Sequence, residues 1–123
     1  MAHDKKELTS VKDLLWKNRV VLMWSKNPEQ YEPLLIQFET DFIDRDIVWF
    51  IINETDITTN YGDHISEEFA VNTTNAFSQH NKDVLLIGKD GGVKNNNKKL
   101  DLEALLKQID SMPMRINEMK YKD

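Results

Sequence analysis

Two short segments of the chain are apolar almost without interruption, and what lies between them limits the folds available. Arg19 to Trp24 reads Arg-Val-Val-Leu-Met-Trp, and Ile47 to Ile52 reads Ile-Val-Trp-Phe-Ile-Ile. A half-exposed strand alternates apolar and polar residues, so runs of this kind suit strands covered on both faces. Between them Tyr31, Leu34, Leu35, Phe38 and Phe42 recur at helical spacing, and Pro28 or Pro33 fits a first helical turn. Strand, helix and strand in this order predict a right-handed crossover between parallel strands.

Beyond Ile52 the chain turns polar, and Asn53 to Asp63 reads as loop. Ser66 is the expected cap of a helix with Glu67 and Glu68 in its first turn and Phe69, Ala70, Ala76 and Phe77 on its buried side. Val84 to Ile87 is a third apolar strand. The stretch Gly88-Lys89-Asp90-Gly91-Gly92 carries an Asp-Gly pair that tolerates positive φ, and Val93 and Lys94 follow as a short returning strand. The last helix is the best specified: Asp101 is its N-cap, Leu100 staples onto Leu105, and Leu102, Leu105, Leu106, Ile109 and Met112 form one stripe. Pro113 stops it by disfavouring the α conformation at Met112. A short helix around Val11 to Lys17 presents Leu14 and Leu15. The order βαβ, helix, ββα predicts an α/β chain with a four-stranded mixed sheet and helices on both faces, which is the core order of the thioredoxin fold. One domain over 1–123 is expected, with its core at about 14–112 and a C-terminal tail at 113–123.

Composition narrows the function classes. At 123 residues one core is enough, and 40% hydrophobic with 30% charged residues is ordinary for a soluble globular chain. The net charge of -5 repels phosphate backbones, and no basic stretch alternates with aromatics, so nucleic acid is not an expected partner. Lys98 and Lys99, beside Asn95 to Asn97, read as a solvated loop. The chain has no cysteine, which removes disulfides, thiolate metal sites and Cys nucleophiles together. Met1 to Leu8 is charged and lacks an apolar h-region, so neither a signal peptide nor membrane insertion is expected of this sequence.

The blocks Leu86-Ile87-Gly88-Lys89-Asp90-Gly91-Gly92-Val93-Lys94 and Ile109-Asp110-Ser111-Met112-Pro113-Met114-Arg115, ending in Glu118, resemble the family called domain of unknown function 4174. So do Trp16-Lys17-Asn18-Arg19 and Asp44-Arg45-Asp46, and the resemblance runs from about Leu14 to Met119. It implies a thioredoxin-like fold without implying catalysis. It also implies a bacterial, periplasmic or secreted protein, with related domains in vertebrate secreted matrix-associated proteins; a cytoplasmic location stays open. Where a redox-active thioredoxin carries Cys-x-x-Cys, this chain has Trp24-Ser25-Lys26-Asn27-Pro28. Ser25 has no base near it in sequence, and the proline expected before the third strand is missing from Gln79 to Asp83, so thiol redox chemistry is not expected.

Strand directions place the family blocks. If the first two strands point towards the former redox pole, the hairpin at Lys89 to Gly92, the end of the last helix and the segment leading into the second strand all meet at the opposite pole. Asp44, Arg45, Asp46, Lys89, Asp90, Lys94, Asp110, Arg115 and Glu118 form the candidate cluster there. An ion-pair network fixing the tail is the favoured reading, because structural networks of this kind are common; a surface for a protein or small ligand is the other. Arg115 is expected to contact Asp44, Asp46, Asp90 or Asp110. No catalytic residue is assigned: an enzyme using carboxylates with Lys or Arg at this pole is the alternative, and no nucleophile–base pair backs it.

Other motifs carry less. Gly88 to Gly92 lacks the Gly-Lys-Ser/Thr ending of a phosphate loop and leads into a strand. His64 with Asp56, Asp63, Glu67 and Glu68 matches no metal-ligand spacing, and His3 and His80 have no evident partner, so no metal or cofactor is expected. Met112, Met114 and Met119 read as core filling in preference to an adaptable binding strip, and Trp16, Trp24 and Trp49 as core.

Overall fold

The two apolar runs form β1 (Arg19–Trp24) and β2 (Ile47–Asn53), paired in parallel with Arg19 opposite Ile47 and Trp24 opposite Ile52. Arg19 to Met23 and Ile47 to Ile52 are buried throughout, which is why neither run alternates. The computed structural model describes residues 7–80 and 83–121; His3 lies outside them, as do two positions of the Gln79 to Asp83 segment. On the other side of β1 lies β4 (Val84–Ile87), antiparallel, followed by β5 (Val93–Asn97).

The sheet has five strands where the sequence predicts four, and with β3 (Asp56–Thr59) included the order is β3-β2-β1-β4-β5. The additional one, β3, sits inside the segment read as loop and runs antiparallel to β2. Its Asp-Ile-Thr-Thr sequence has one large apolar residue, and the Glu54-Thr55 turn holds neither Gly nor Asn, so the usual hairpin signal is missing. Glu54 nevertheless takes φ 57°. Side chains help to fasten the strand: the Thr59 hydroxyl donates to the Trp49 carbonyl at 2.7 Å, and the Trp49 N–H donates to Asn60 Oδ1 at 2.8 Å. The returning strand, expected at Val93 and Lys94, runs on through Asn95 to Asn97 as β5, which is tied to the last long helix by Gln108 Nε2 donating to the Lys94 carbonyl at 2.9 Å.

Successive strand residues feed opposite faces. On one face Val21, Met23, Trp49, Ile51 and Leu86 pack with Leu35 and Phe42 and with Leu102, Leu105, Leu106 and Ile109. On the other, Val20, Leu22, Val48, Phe50, Leu85 and Ile87 pack with Phe69 and with Leu8, Val11 and Leu14. Helical elements therefore cover both faces.

The helices depart from expectation in instructive ways. The segment between β1 and β2 is two helices, α1 (Glu32–Gln37) and α2 (Glu39–Asp44), broken at Phe38 with φ -99° and ψ 15°. Apolar spacing continues through the break, so periodicity does not report it. Helix α3 (Phe69–Ala76) begins later than Ser66: the Ser66 hydroxyl accepts from the Glu68 N–H at 3.1 Å, forming a turn that precedes the helix. Ala76, expected inside, is exposed, and Phe77 lies half-buried just past the helix end. Helix α4 (Leu102–Asp110) starts where the sequence places it, with the Asp101 carboxylate accepting from the Ala104 N–H at 3.1 Å. Pro113 does more than stop it. The residues read as a tail form α5 (Pro113–Lys120), with proline in the first turn, where a missing N–H costs nothing, after an extended Met112.

Near the N-terminus the expected helix is a single 3-10 turn, Val11–Leu14. Leu14 is buried; Leu15 is exposed and crowds Gly91, whose φ of 86° and lack of a side chain both suit the hairpin. Trp16 is not core. It is 66% exposed in a left-handed backbone conformation (φ 67°), with its N–H donating to the Lys89 carbonyl at 2.7 Å. Met114 and Met119 are likewise exposed instead of filling core, whereas Trp49 is buried and Trp24 half-buried.

Candidate functional site

The pole where β1 and β2 begin gathers a connected set of ion pairs. Arg19 opens β1 and is 1% exposed. Its guanidinium donates from Nη1 to the Arg45 carbonyl at 3.0 Å, and meets the Glu118 carboxylate through two nitrogens at 3.1 and 3.2 Å. Lys89, in the hairpin between β4 and β5, donates to Glu118 Oε2 at 2.7 Å and to Asp46 Oδ2 at 2.9 Å. Glu118 on α5 is thus held by two cations from two different parts of the sheet.

A second centre adjoins the first. Arg115, 3% exposed, donates to the Asp44 carboxylate at 2.7 Å, to the Asp44 carbonyl at 3.0 Å and to Asp110 Oδ1 at 3.2 Å. Arg45 holds both oxygens of Asp110, sharing Oδ1 with Arg115 through Nε at 2.9 Å and taking Oδ2 through Nη2 at 2.8 Å, and reaches back one helical turn to Asp41 at 3.3 Å. The bidentate planar geometry is one that lysine cannot reproduce. Asp46 enters the network from a left-handed backbone position (φ 53°) that ends α2, its carbonyl accepting from the Arg19 N–H at 2.9 Å.

The structure therefore brings Asp44, Arg45, Asp46, Lys89, Asp110, Arg115 and Glu118 together. Asp90 and Lys94 stand apart as a pair within the hairpin, with Lys94 Nζ at 2.9 Å from Asp90 Oδ2 and the Gly92 N–H donating to Asp90 Oδ1 at 2.9 Å. Arg115 touches neither Asp46 nor Asp90. Sequence reasoning missed Arg19 and Asp41. The signal for Arg19 was available: an arginine at the head of a fully buried strand needs a carboxylate, and only the elements meeting at that pole supply one.

Electrostatics follow the contacts. Asp110 is held below the usual carboxylate range by the hydrogen bonds from Arg45, against the opposing effect of burial, with Arg115 adding to the shift. At Glu118 burial is the largest single influence and pushes upward, yet the bonds from Arg19 and Lys89 together outweigh it and leave the group lowered. Asp90 is lowered by Lys94 and by the Gly92 N–H. Arg45 is raised by its bond to Asp110. A carboxylate whose folded pKa is depressed contributes stability that is complete above its unfolded value, about 4, and disappears as pH falls through the folded value. Urea midpoints are therefore expected to be flat from pH 7 to about 5 and to fall below about 4, with Glu118→Gln shallower in that fall than wild type. A parallel fall in both proteins would dismiss Glu118 as a contributor.

Arg115 gives a second expected result. Its Ala variant should lose about 1 to 3 kcal/mol, since two carboxylates lose a partner while staying partly solvated. The Lys variant should recover only part of this, and equal melting temperatures for all three proteins would mean that Arg115 is not a structural tie.

Between the hairpin and the α4–α5 turn lies a cleft of about 490 Å³, with Arg19, Lys89, Lys94, Met112, Pro113 and Met114 among its walls. Among the described residues, His64, Asp56, Asp63, Glu67 and Glu68 included, no group of three or more His, Cys, Asp or Glu is placed to hold a metal ion. His80 has neighbours after all, Asn96 Nδ2 at 3.3 Å and Asp83 at 3.9 Å. At the opposite pole Ser25 caps its own turn, accepting from the Asn27 N–H at 3.0 Å.

A mixed five-stranded α/β fold with an ion-paired pole is thus the class that the geometry defines. Residues 10–118 match the family described as "Domain of unknown function (DUF4174)", and the chain belongs to that family. No curated protein and no solved structure matches it.

Proposed function

We propose that the protein is a non-catalytic, thioredoxin-like binding module, with the ion-paired pole as its clasp and the adjoining cleft as its ligand site. The observation that carries this reading is the state of the carboxylates. A general acid needs a raised pKa near the working pH, whereas Asp110, Glu118 and Asp90 are all lowered by arginine or lysine partners. They are held as anions in bonds, not poised for proton transfer. The parallel pair β1–β2 with antiparallel β4 and β5 on its far side supports the thioredoxin-like part of the reading, β3 being an added edge. A second cavity, of about 480 Å³ and lined by Val11, Leu15, Phe77 and Gly91 among others, lies towards the other sheet face and holds one cation, Lys12.

Two measurements test this. In an insulin turbidity assay the protein should show no reductase turnover above buffer, since it has no thiolate to attack a disulfide. Turnover from pure material would overturn the non-redox reading. In a fragment screen followed by amide NMR shifts, saturable perturbations should gather on Arg19, Lys89 to Lys94 and Gln108 to Met114. Perturbations gathered on Trp24 to Asn27, or around Val11 and Phe77, would move the site away from this pole.

A further inference from the structure

Helix α5 is built the wrong way round for a helix that simply packs on a core. Arg115 is its only buried residue, while Met114, Ile116 and Met119 are at least 40% exposed and Tyr121, just beyond it, is 85% exposed. Among the described residues, its side chains reach the rest of the chain by ionic hydrogen bonds: Arg115 to Asp44 and Asp110, and Glu118 to Arg19 and Lys89. Apolar burial, which anchors most helices, contributes little here. Bonds of this kind are replaceable by an equivalent charge in solution, as packed side chains are not.

What α5 covers is organised without it. The Arg19 guanidinium is oriented by the Arg45 carbonyl at 3.0 Å and rises from a strand buried on both sides; the Lys89 ammonium is oriented by Asp46 at 2.9 Å. Both anchors belong to the body of the fold, and together they present one bidentate and one single donor set to a carboxylate. Glu118 fills that position at 3.1, 3.2 and 2.7 Å.

We infer that Arg19 and Lys89 form a carboxylate receptor that α5 occupies in cis through Glu118, and that an acidic peptide occupies it in trans when α5 is displaced. This rests on the reading of the pole as a binding site and names its ligand class. Glu118 then acts as an internal competitor, and the cleft walled by Met112, Pro113 and Met114 widens as the helix leaves. The acidic side chain supplies the ion pair and the cleft receives the residues beside it.

Chemical rescue tests the receptor, and peptide competition tests its use. Glu118→Ala leaves Arg19 without its carboxylate and Lys89 with Asp46 alone, so its melting temperature should drop, and sodium acetate should restore at least half of the loss, saturably. Sodium chloride at equal ionic strength should not. Glu118→Gln, which keeps the volume filled, and wild type should gain nothing from acetate. For the second arm, a capped Gly-Glu-Glu-Gly peptide added to wild type should abolish hydrogen-exchange protection across α5 while β1 and β2 keep theirs, and Gly-Gln-Gln-Gly should have no effect. Failure of acetate to exceed chloride would overturn the receptor itself. Rescue by acetate without any effect of the Glu peptide on α5 would overturn displacement in trans and leave the pole's reading as a binding site to the fragment screen.

Discussion

Replacing Arg19 by Ala is expected to cost about 2 to 4 kcal/mol, more than any other single change to the charged pole. The reason is position. Arg19 is 1% exposed, and its removal leaves Glu118 with Lys89 at 2.7 Å and the more distant Arg115 at 3.7 Å, the Arg45 carbonyl without this donor, and a void at the head of β1. Breaking a buried pair is costlier than its net worth because the remaining partner stays desolvated, and the partial solvation of Glu118, 25% exposed, keeps the figure below the upper end of such losses. The control is Arg19→Met, which fills the volume and restores none of the bonds. Both variants should melt well below wild type in urea or heat. A Met variant as stable as wild type would show that the arginine is retained for something other than stability, and would strengthen the receptor assigned to it.

The largest effect anywhere should come from Phe50→Ala, at about 3 to 5 kcal/mol. Phe50 is fully buried in β2, with its ring centroid 4.7 Å from Phe69 and 6.4 Å from Tyr61. It is the aromatic contact through which β2 meets α3 and the chain leading into it. Deletion removes the burial and opens a cavity that three elements must close at once, none of them free to collapse. Phe50→Leu should recover more than half of the loss. If Phe50→Ala costs under about 1 kcal/mol, the face of the sheet carrying Phe69 is not the packed core described above.

What could be read in the sequence divides along physical lines. The apolar strands and α4 were legible because burial on both faces, or along one stripe, leaves its own periodicity, and because Asp101 marks a start with a side chain that bonds Ala104. The position of β3 was not, since a polar edge strand of four residues buries little and its turn uses Glu54 where Gly or Asn is the usual residue. Periodicity likewise passed through the break at Phe38, because the same side of both helices faces the core. At the charged pole, directions of strands sufficed to bring Asp44, Asp110 and Arg115 together. They did not separate Asp90 and Lys94, which satisfy each other inside the hairpin, from the network beyond it. Trp16 departs from the core placement for a simpler reason: hydrophobic character does not by itself bury a side chain, and the chain turns left-handed there and leaves the indole exposed.

The plainness of the two outer strands has a consequence for how the protein behaves in company. Val20 to Trp24 in β1, with β2 and β4, are the kind of short, uncharged apolar segments that stack into intermolecular sheets when their backbone is bared. In the native chain each such edge is taken: β3 covers β2 with Asp-Ile-Thr-Thr, and β5 covers β4 with Val-Lys-Asn-Asn-Asn. Polar, short and fastened by side chains, these strands offer a poor template to a neighbour. Colloidal stability then depends on the least apolar parts of the sheet. A change that loosens Thr59 or Gln108 from its backbone partner would harm solubility long before it measurably lowered the melting temperature.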